Sequence, residues 1–157
     1  MKRILCILCS LVLITSCGLD KLKNSVEYDF LVKNETGSSV VVRVHYYARA
    51  TSEEPIDRLV AIENGDCAAL FKGLAVGEGF SYTDEEIFYK TLIGDIREDS
   101  YAEVVRDEDG KSIKWSPNEI DETSFYSFRN WTFEQSVTNG KIYKKWMLTL
   151  NDTLFKE

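Results

Sequence analysis

The clearest fold signal lies in residues 28–46, which read YDFLVKNETGSSVVVRVHY. Before and after the central turn, apolar side chains stand at every second position: Tyr28, Phe30 and Val32, then Val40, Val42, Val44 and Tyr46. This alternation is typical of strands with one buried and one exposed face, and it places Arg43 and His45 on the exposed face. Because residues 35–38 (ETGS) supply turn chemistry, the sequence predicts a hairpin here.

The same pattern recurs outward from this stretch. Further strand-like runs cover residues 59–62, 68–72, 101–105, 112–115, 131–134 and 142–150. They are separated in pairs by Asn64-Gly65-Asp66, by residues 107–110 (DEDG) and by Asn139-Gly140, which are hairpin-turn signals. Thr83 followed by Glu86 fits a capping box and predicts a short helix over residues 84–93. About eight short strands with one short helix predict an all-β fold, an antiparallel β-sandwich that is immunoglobulin-like (Ig-like) or a related Greek key.

The N-terminus has the three parts of a secretory signal. A positive pair, Lys2 and Arg3, precedes the apolar run 4–14, and small residues follow. That run of about eleven residues is well short of the roughly 20 that span a membrane. Ile14-Thr15-Ser16-Cys17 resembles a lipobox, and the resemblance implies cleavage before Cys17 and lipid attachment to its thiol. We therefore expect a signal peptide at 1–16, a lipidated cysteine and tether at 17–26, and one β domain at 27–157.

Cysteine usage fits the same interpretation. Cys6 and Cys9 leave with the signal peptide, Cys17 carries lipid, and Cys67 remains as a single thiol that cannot form an internal disulfide. Because Cys67 begins the apolar run CAALF, we expect a buried structural thiol.

Charge narrows the range of partners. Processing leaves 17 Lys and Arg against 26 Asp and Glu, a net charge near −9. Such a surface repels nucleic-acid phosphates and anionic lipid heads, so we expect no nucleic-acid partner and a membrane link through the lipid alone.

The sequence offers no catalytic constellation. A hydrolase triad needs a histidine base, and the one histidine, His45, is expected at the surface in mid-strand. Residues 107–110 do not fit an EF-hand-type calcium loop. Counted back from Gly110, the first ligand position falls on Val105, whose side chain cannot bind a cation. We predict no catalytic residues, no metal and no cofactor, although paired carboxylates for glycan cleavage stay open because their spacing is spatial.

Aromatic residues are abundant, and the strand pattern divides them. Those expected in the core are Tyr28, Phe30, Trp131, Phe133 and Trp146. Those expected to be exposed for binding are Tyr47, Tyr101, Trp115, Tyr126 and Tyr143.

A family resemblance adds to this interpretation. The stretches DGKSIKW (109–115), SFY (124–126), NWTF (130–133) and 141–150, with the F-x-x-x-N-x-T-G pattern at 30–37, resemble small uncharacterised envelope lipoproteins of Bacteroidetes, of the Bacteroides and Prevotella type. The chain departs from that pattern at NDTL (151–154), which replaces the expected acidic, tyrosine-containing end. The resemblance supports location and fold, and it implies no activity. Asp152-Thr153-Leu154 is similar to the O-glycosylation signal of that phylum, with Thr153 as the acceptor.

These observations favour a non-enzymatic envelope lipoprotein whose β domain binds a protein or glycan partner. Two alternatives stay open: a carboxylate-dependent glycan hydrolase or other cryptic hydrolase, and an inhibitor or immunity lipoprotein. Because Gly18 rather than Asp follows Cys17, bacterial sorting rules imply the outer membrane. The periplasmic face is favoured over the cell surface, since Asp20 is the one acid near the cysteine.

The lipobox generates the first prediction. Cys17→Ser should move the protein out of the membrane fraction, because the acceptor thiol is lost and attachment depends on several acyl chains. Fractionation followed by immunoblotting measures this. Cys9→Ser, inside the signal peptide, is the matched control and should leave the protein membrane-bound; a membrane-bound Cys17→Ser protein would contradict the anchor.

Overall fold

The computed structural model describes residues 25–47, 53–76, 83–92 and 99–155. Within them the all-β prediction is confirmed: eight strands form two four-stranded sheets, accompanied by one α-helix and two short 3₁₀ turns. The strands are β1 (Ser25–Glu35), β2 (Val40–Tyr46), β3 (Ile56–Ile62), β4 (Cys67–Val76), β5 (Tyr101–Arg106), β6 (Ser112–Trp115), β7 (Trp131–Thr138) and β8 (Lys141–Asn151), and the helix is α1 (Asp84–Leu92). The predicted signal peptide, Cys17 and residues 18–24 of the tether lie outside the described residues.

The two sheets face each other as a sandwich. The first sheet has the strand order β4-β1-β8-β7, and the second has the order β3-β2-β5-β6. Neighbouring strands run antiparallel as predicted, except that β1 and β8 pair in parallel over Val26–Glu35 and Ile142–Asn151. The sequence pattern did not predict this parallel pair, since β1 and β8 are far apart in the chain.

Two of the four predicted hairpins are confirmed. β5 and β6 pair across the turn at Gly110, and β7 and β8 pair across Asn139 and Gly140. All three turn residues have positive φ, at 69°, 53° and 76°, the conformation for which glycine and asparagine are favoured in hairpin turns.

The other two predicted hairpins are wrong. β1 and β2 lie in different sheets, and so do β3 and β4. Each strand has one apolar face, and that face can be buried equally well beside its neighbour in one sheet or opposite it in a sandwich. Local alternation does not distinguish these arrangements, and the turns predicted at 35–38 and 64–66 therefore connect strands of different sheets.

Two of the crossings between the sheets, from β1 to β2 and from β3 to β4, meet at Asn34, whose side chain is fully buried. Its Nδ2 donates to the carbonyls of Ser38 and Ile62, both at 2.8 Å. Its Oδ1 accepts from the backbone N–H of Thr36 at 3.0 Å and from the Thr36 hydroxyl at 2.8 Å. The Asn34 backbone also exchanges hydrogen bonds with the second crossing, donating to the carbonyl of Asp66 and accepting from Gly65 N–H. One residue therefore ties both crossings together.

An aromatic core fills the space between the sheets. Phe30 stacks on Trp146 with ring centroids 4.8 Å apart, and Trp131 meets Phe30 edge-on at 5.7 Å. The predicted helix is confirmed, and α1 adds Phe88 to the same cluster, 5.8 Å from Phe30. The capping box at its start is also present, because Thr83 N–H donates to Glu86 Oε2 and Glu86 N–H donates to Thr83 Oγ1.

The connection from β6 to β7 covers one side of this core. Phe125 and Tyr126 are buried within it, and the indole N–H of Trp131 donates to the Phe125 carbonyl at 2.8 Å. The connection thus acts as a cover that is itself part of the core.

The C-terminal 3₁₀ turn (Asp152–Phe155) is held by Arg106 at the end of β5. The guanidinium contacts Asp109 and Asp152, each at 2.5 Å, and lies 4.8 Å from the centre of the Phe155 ring. The hydrogen bond from Arg106 is the main cause that lowers the pKa of Asp109 to about 2.

Asn34 generates a stability prediction. Asn34→Ala should lower the free energy of unfolding by about 3 kcal/mol, because it removes the hydrogen bonds of the amide to backbone groups of Thr36, Ser38 and Ile62, at roughly 1 kcal/mol each. Urea denaturation followed by tryptophan fluorescence measures this. Asn118→Ala, at an exposed turn position, is the control and should change stability little; equal effects would show that the buried amide is not a structural constraint.

Asp109 generates a pH prediction. Its folded-state pKa lies below the ordinary value, so its contribution to stability is present above about pH 4 and is lost as the pH falls toward about 2. Asp109→Asn should therefore lower the thermal midpoint at neutral pH and flatten the acid dependence between pH 4 and 2. Glu108→Gln in the same turn is the control. If the thermal midpoint of Asp109→Asn depends on pH as that of the parent protein does, the stabilising role of Asp109 is contradicted.

Candidate binding surface

The outer face of the second sheet carries a cluster of charged and aromatic side chains, which we call the Tyr101 cluster. Its members are Arg43 and His45 of β2, Asp57 of β3, Tyr101 and Glu103 of β5, and Lys114 of β6. Because Val42 and Val44 point into the core, the residues between and after them point outward. The strand register then brings the six side chains together, with His45 lying directly between Asp57 and Tyr101.

His45 is held from two sides. Its Nδ1 lies 2.9 Å from Asp57 Oδ1, and its ring stacks on Tyr101 with centroids 5.0 Å apart and planes inclined by 10°. The expectation of an outward-facing histidine is confirmed, although its neighbours leave only 16% of the side chain exposed. The imidazole therefore has one well-defined position.

Tyr101 is the centre of the cluster. Lys114 Nζ lies 3.7 Å from the centre of its ring, a cation–π contact. A hydrogen bond to Tyr101 is the main cause that raises the pKa of Arg43, and Glu103, 3.7 Å from Arg43, adds to it. Arg43 therefore stays cationic at any physiological pH.

An open depression of about 550 Å³ adjoins the cluster. Its lining residues are His45, Asp99, Ser100, Tyr101, Lys114, Ser116 and Glu119. Tyr47 supports its wall, because the phenol donates to Asp99 Oδ2 at 2.6 Å. The depression brings both signs of charge against an aromatic side chain.

Most of the aromatics expected at the surface are not there. Tyr47, Trp115 and Tyr126 are buried, with 8%, 5% and 2% of their surface exposed, so this part of the prediction is wrong. Trp115 faces inward at the end of β6 and stacks on Phe125, while burial of Tyr126 raises the pKa of its phenol. Tyr101 and Tyr143 are half-buried and outward-facing.

Two further expectations about burial are corrected. Phe133, expected in the core, is 36% exposed because β7 is an edge strand that the second sheet does not cover there. Cys67, expected to be buried, is exposed. It is opposite Lys33 in the register of β1 and β4, and so shares the outer face of the first sheet with that residue.

Tyr143 lies in a second depression, of about 420 Å³, on the first sheet. The register places Glu27 of β1 and Ser136 of β7 on its two sides. Two ion pairs border it: Lys141 with Glu27, and Lys145 with Glu134, both at 3.3 Å. We call this surface the Tyr143 groove.

Thr153 is exposed within the C-terminal 3₁₀ turn, and its hydroxyl donates to Asn151 Oδ1. Its glycosylation stays a prediction. The acidic turn 107–110 closes the β5–β6 hairpin, with Asp109 engaged by Arg106.

Sequence reasoning missed three members of the Tyr101 cluster: Asp57, Glu103 and Lys114. The alternation placed Arg43 on the outer face, but the partners of that face depend on which strands are neighbours. The β5–β6 hairpin, which has a local signal, places Lys114 beside Glu103, but β2 pairs with β5 from far away in the chain, so no local signal could have joined the two halves of the cluster.

Within the described residues, no three His, Cys, Asp or Glu side chains form a group suited to a metal ion. None of the helices in that part of the chain has the length and apolar character required to cross a membrane. Comparisons with protein-family models, with curated proteins and with solved structures find no match.

Proposed function

We propose that this chain is the precursor of a cell-envelope lipoprotein that is anchored through lipid at Cys17 and binds a partner protein without turnover. The Tyr101 cluster is the observation that carries this proposal. Tyrosine and arginine are the residue types that most often dominate the binding energy of protein interfaces. Here both are already held in place by neighbours, which reduces the entropy lost on binding.

The geometry favours recognition over hydrolysis. Asp57 and His45 make up two parts of a hydrolase triad, but hydrolysis also needs a positioned nucleophile and a site that stabilises the oxyanion. The adjoining depression is open to solvent and carries Lys114 and Glu119. Charge-bearing open surfaces of this kind suit a partner with complementary charges.

Anchoring fits this arrangement. β1 begins at Ser25, which leaves seven residues between Cys17 and the sandwich. Such a short tether keeps the domain within a few tens of ångströms of the membrane, at roughly 3.3–3.6 Å per extended residue. The proposed location is the outer membrane, on its periplasmic face.

A glycan partner is the second candidate, and the Tyr143 groove favours it. The Tyr101 ring is already covered by His45 and Lys114, whereas Tyr143 lies beside Glu27 and Ser136, whose oxygens can accept hydrogen bonds from sugar hydroxyls. The two surfaces are on opposite faces of the sandwich, so they can be tested separately.

Crosslinking distinguishes these surfaces. A photoreactive amino acid in place of Leu59, which is exposed beside Arg43, should capture a protein of one defined mass in intact cells. Tyr101→Ala should reduce this adduct about 30-fold, the effect of losing roughly 2 kcal/mol at an interface hot spot. Gel mobility followed by mass spectrometry measures both results.

The controls use the opposite face. The same amino acid at Leu31, which faces outward from the first sheet, should give no such adduct, and Tyr143→Ala should leave the Leu59 adduct unchanged. Equal adducts from Leu31 and Leu59 would contradict the proposal. If Tyr143→Ala abolishes the adduct and Tyr101→Ala does not, the binding site is the Tyr143 groove and not the Tyr101 cluster.

A further inference from the structure

β7 forms one edge of the first sheet, with β8 as its neighbour in the described part of the chain. Beyond Trp131, every residue of this strand is exposed, including Phe133 at 36% and Val137 at 65%. One row of backbone N–H and C=O groups along this edge therefore faces solvent, and such a row can pair with another strand.

This edge lacks the features that usually protect a sheet edge. β7 contains no proline, glycine, lysine or arginine, and its one charge, Glu134, lies 3.3 Å from Lys145 Nζ on β8. The other three edges of the sandwich differ: β3 follows Pro55 and carries both Asp57 and Arg58, β4 carries Lys72 and Gly73, and β6 has four residues. Prolines, charges, glycines and short length discourage pairing between edges, and β7 is the described edge with the fewest of these features.

The sequence of β7 is complementary to itself. If two copies pair antiparallel with Gln135 opposite Gln135, Phe133 lies opposite Val137 and Glu134 lies opposite Ser136. Aromatic side chains opposite β-branched ones stabilise strand pairs, whereas like charges opposite each other destabilise them. In this register the Phe133–Val137 pair forms twice, and the two Glu134 carboxylates do not lie opposite each other.

The apolar side of this arrangement continues the core. Phe133 already packs against Trp146, with ring centroids 5.1 Å apart. Val137 of the second copy would cover the exposed part of Phe133, and the reverse contact would form by symmetry. Each copy thus covers apolar side chains that are exposed in the other copy alone.

We propose that β7 is a self-association edge, along which two copies of this chain pair antiparallel about Gln135 to form one continuous eight-stranded sheet. The net charge of −7, or near −9 after the proposed cleavage before Cys17, opposes association, and an edge of eight residues buries less than the roughly 1,200 Å² of a stable interface. The dimer is therefore weak and concentration-dependent.

Cysteine crosslinking of the full chain tests this register. In a Cys67→Ser background, which removes the exposed thiol, Gln135→Cys should form a disulfide-linked dimer after mild oxidation of intact cells. Directly opposite residues on paired strands have Cβ atoms about 4.5–5.5 Å apart, close enough to be bridged with small adjustments. Non-reducing gels measure the dimer.

Register controls come from the same strand. Thr132→Cys or Thr138→Cys alone should give at least tenfold less dimer, because each cysteine lies six positions, roughly 20 Å, from its own copy. The two variants expressed together should crosslink, since Thr132 lies opposite Thr138 in this register. Equal dimer from all three single variants would indicate random collision and overturn the proposal.

A second variant tests the apolar contact. Val137→Lys should reduce the Gln135→Cys dimer about tenfold, while Ile120→Lys, at an exposed apolar residue of the β6–β7 connection, should not. Circular dichroism shows whether each variant folds. A Gln135→Cys chain that stays monomeric, or that links to a protein of another mass, would contradict self-pairing.

The parent Cys67→Ser chain separates this inference from the proposed anchor. If Cys17 carries lipid, that chain has no free thiol in its mature form and gives no dimer. If the anchor is wrong and Cys17 stays in the chain, its thiol is free and takes up a thiol-directed mass tag, which shifts the monomer band without any cysteine in β7. The two failures therefore produce different gels.

Discussion

The buried side chain of Asn34 is the constraint on which the sandwich depends. The chain passes between the sheets after β1 and again after β3, and both crossings need partners for backbone groups that are withdrawn from water. One amide satisfies Ser38 and Ile62 with its donors and Thr36 with its acceptor. Since these partners belong to different crossings, the amide also sets the position of one sheet against the other.

With the sheets aligned in this way, the alternation of the strands determines both the interior and the surface. Phe30, Trp146 and Phe88 meet between the layers. The alternate residues of each strand face solvent, on opposite sides of the molecule for the two sheets. The Tyr101 cluster and the Tyr143 groove are therefore separate surfaces on one rigid support. A partner bound at one face leaves the other face and the β7 edge accessible.

Much of the fold was predictable because its signals are local. Period-two alternation identified the strands, the turns at Gly110 and Gly140 identified two hairpins, and Thr83 marked the start of α1. The candidate site was predictable only in part. Alternation placed His45 and Tyr101 on a surface, but Trp115 was also expected to be exposed. In a short strand the pattern alone does not show which of the two faces is buried, because that depends on the neighbouring elements.

The sequence by itself determined the all-β class, the strand positions, the acidic charge and the residue types of each face, since these follow from side-chain periodicity and composition. Only the tertiary structure decided that β1 and β2 belong to different sheets, that β1 pairs in parallel with β8, and that Asp57 and Lys114 flank His45 and Tyr101. The physical reason is that an apolar face specifies what must be buried but not against what. That choice is made by contacts between residues far apart in the chain, with the amide of Asn34 foremost among them.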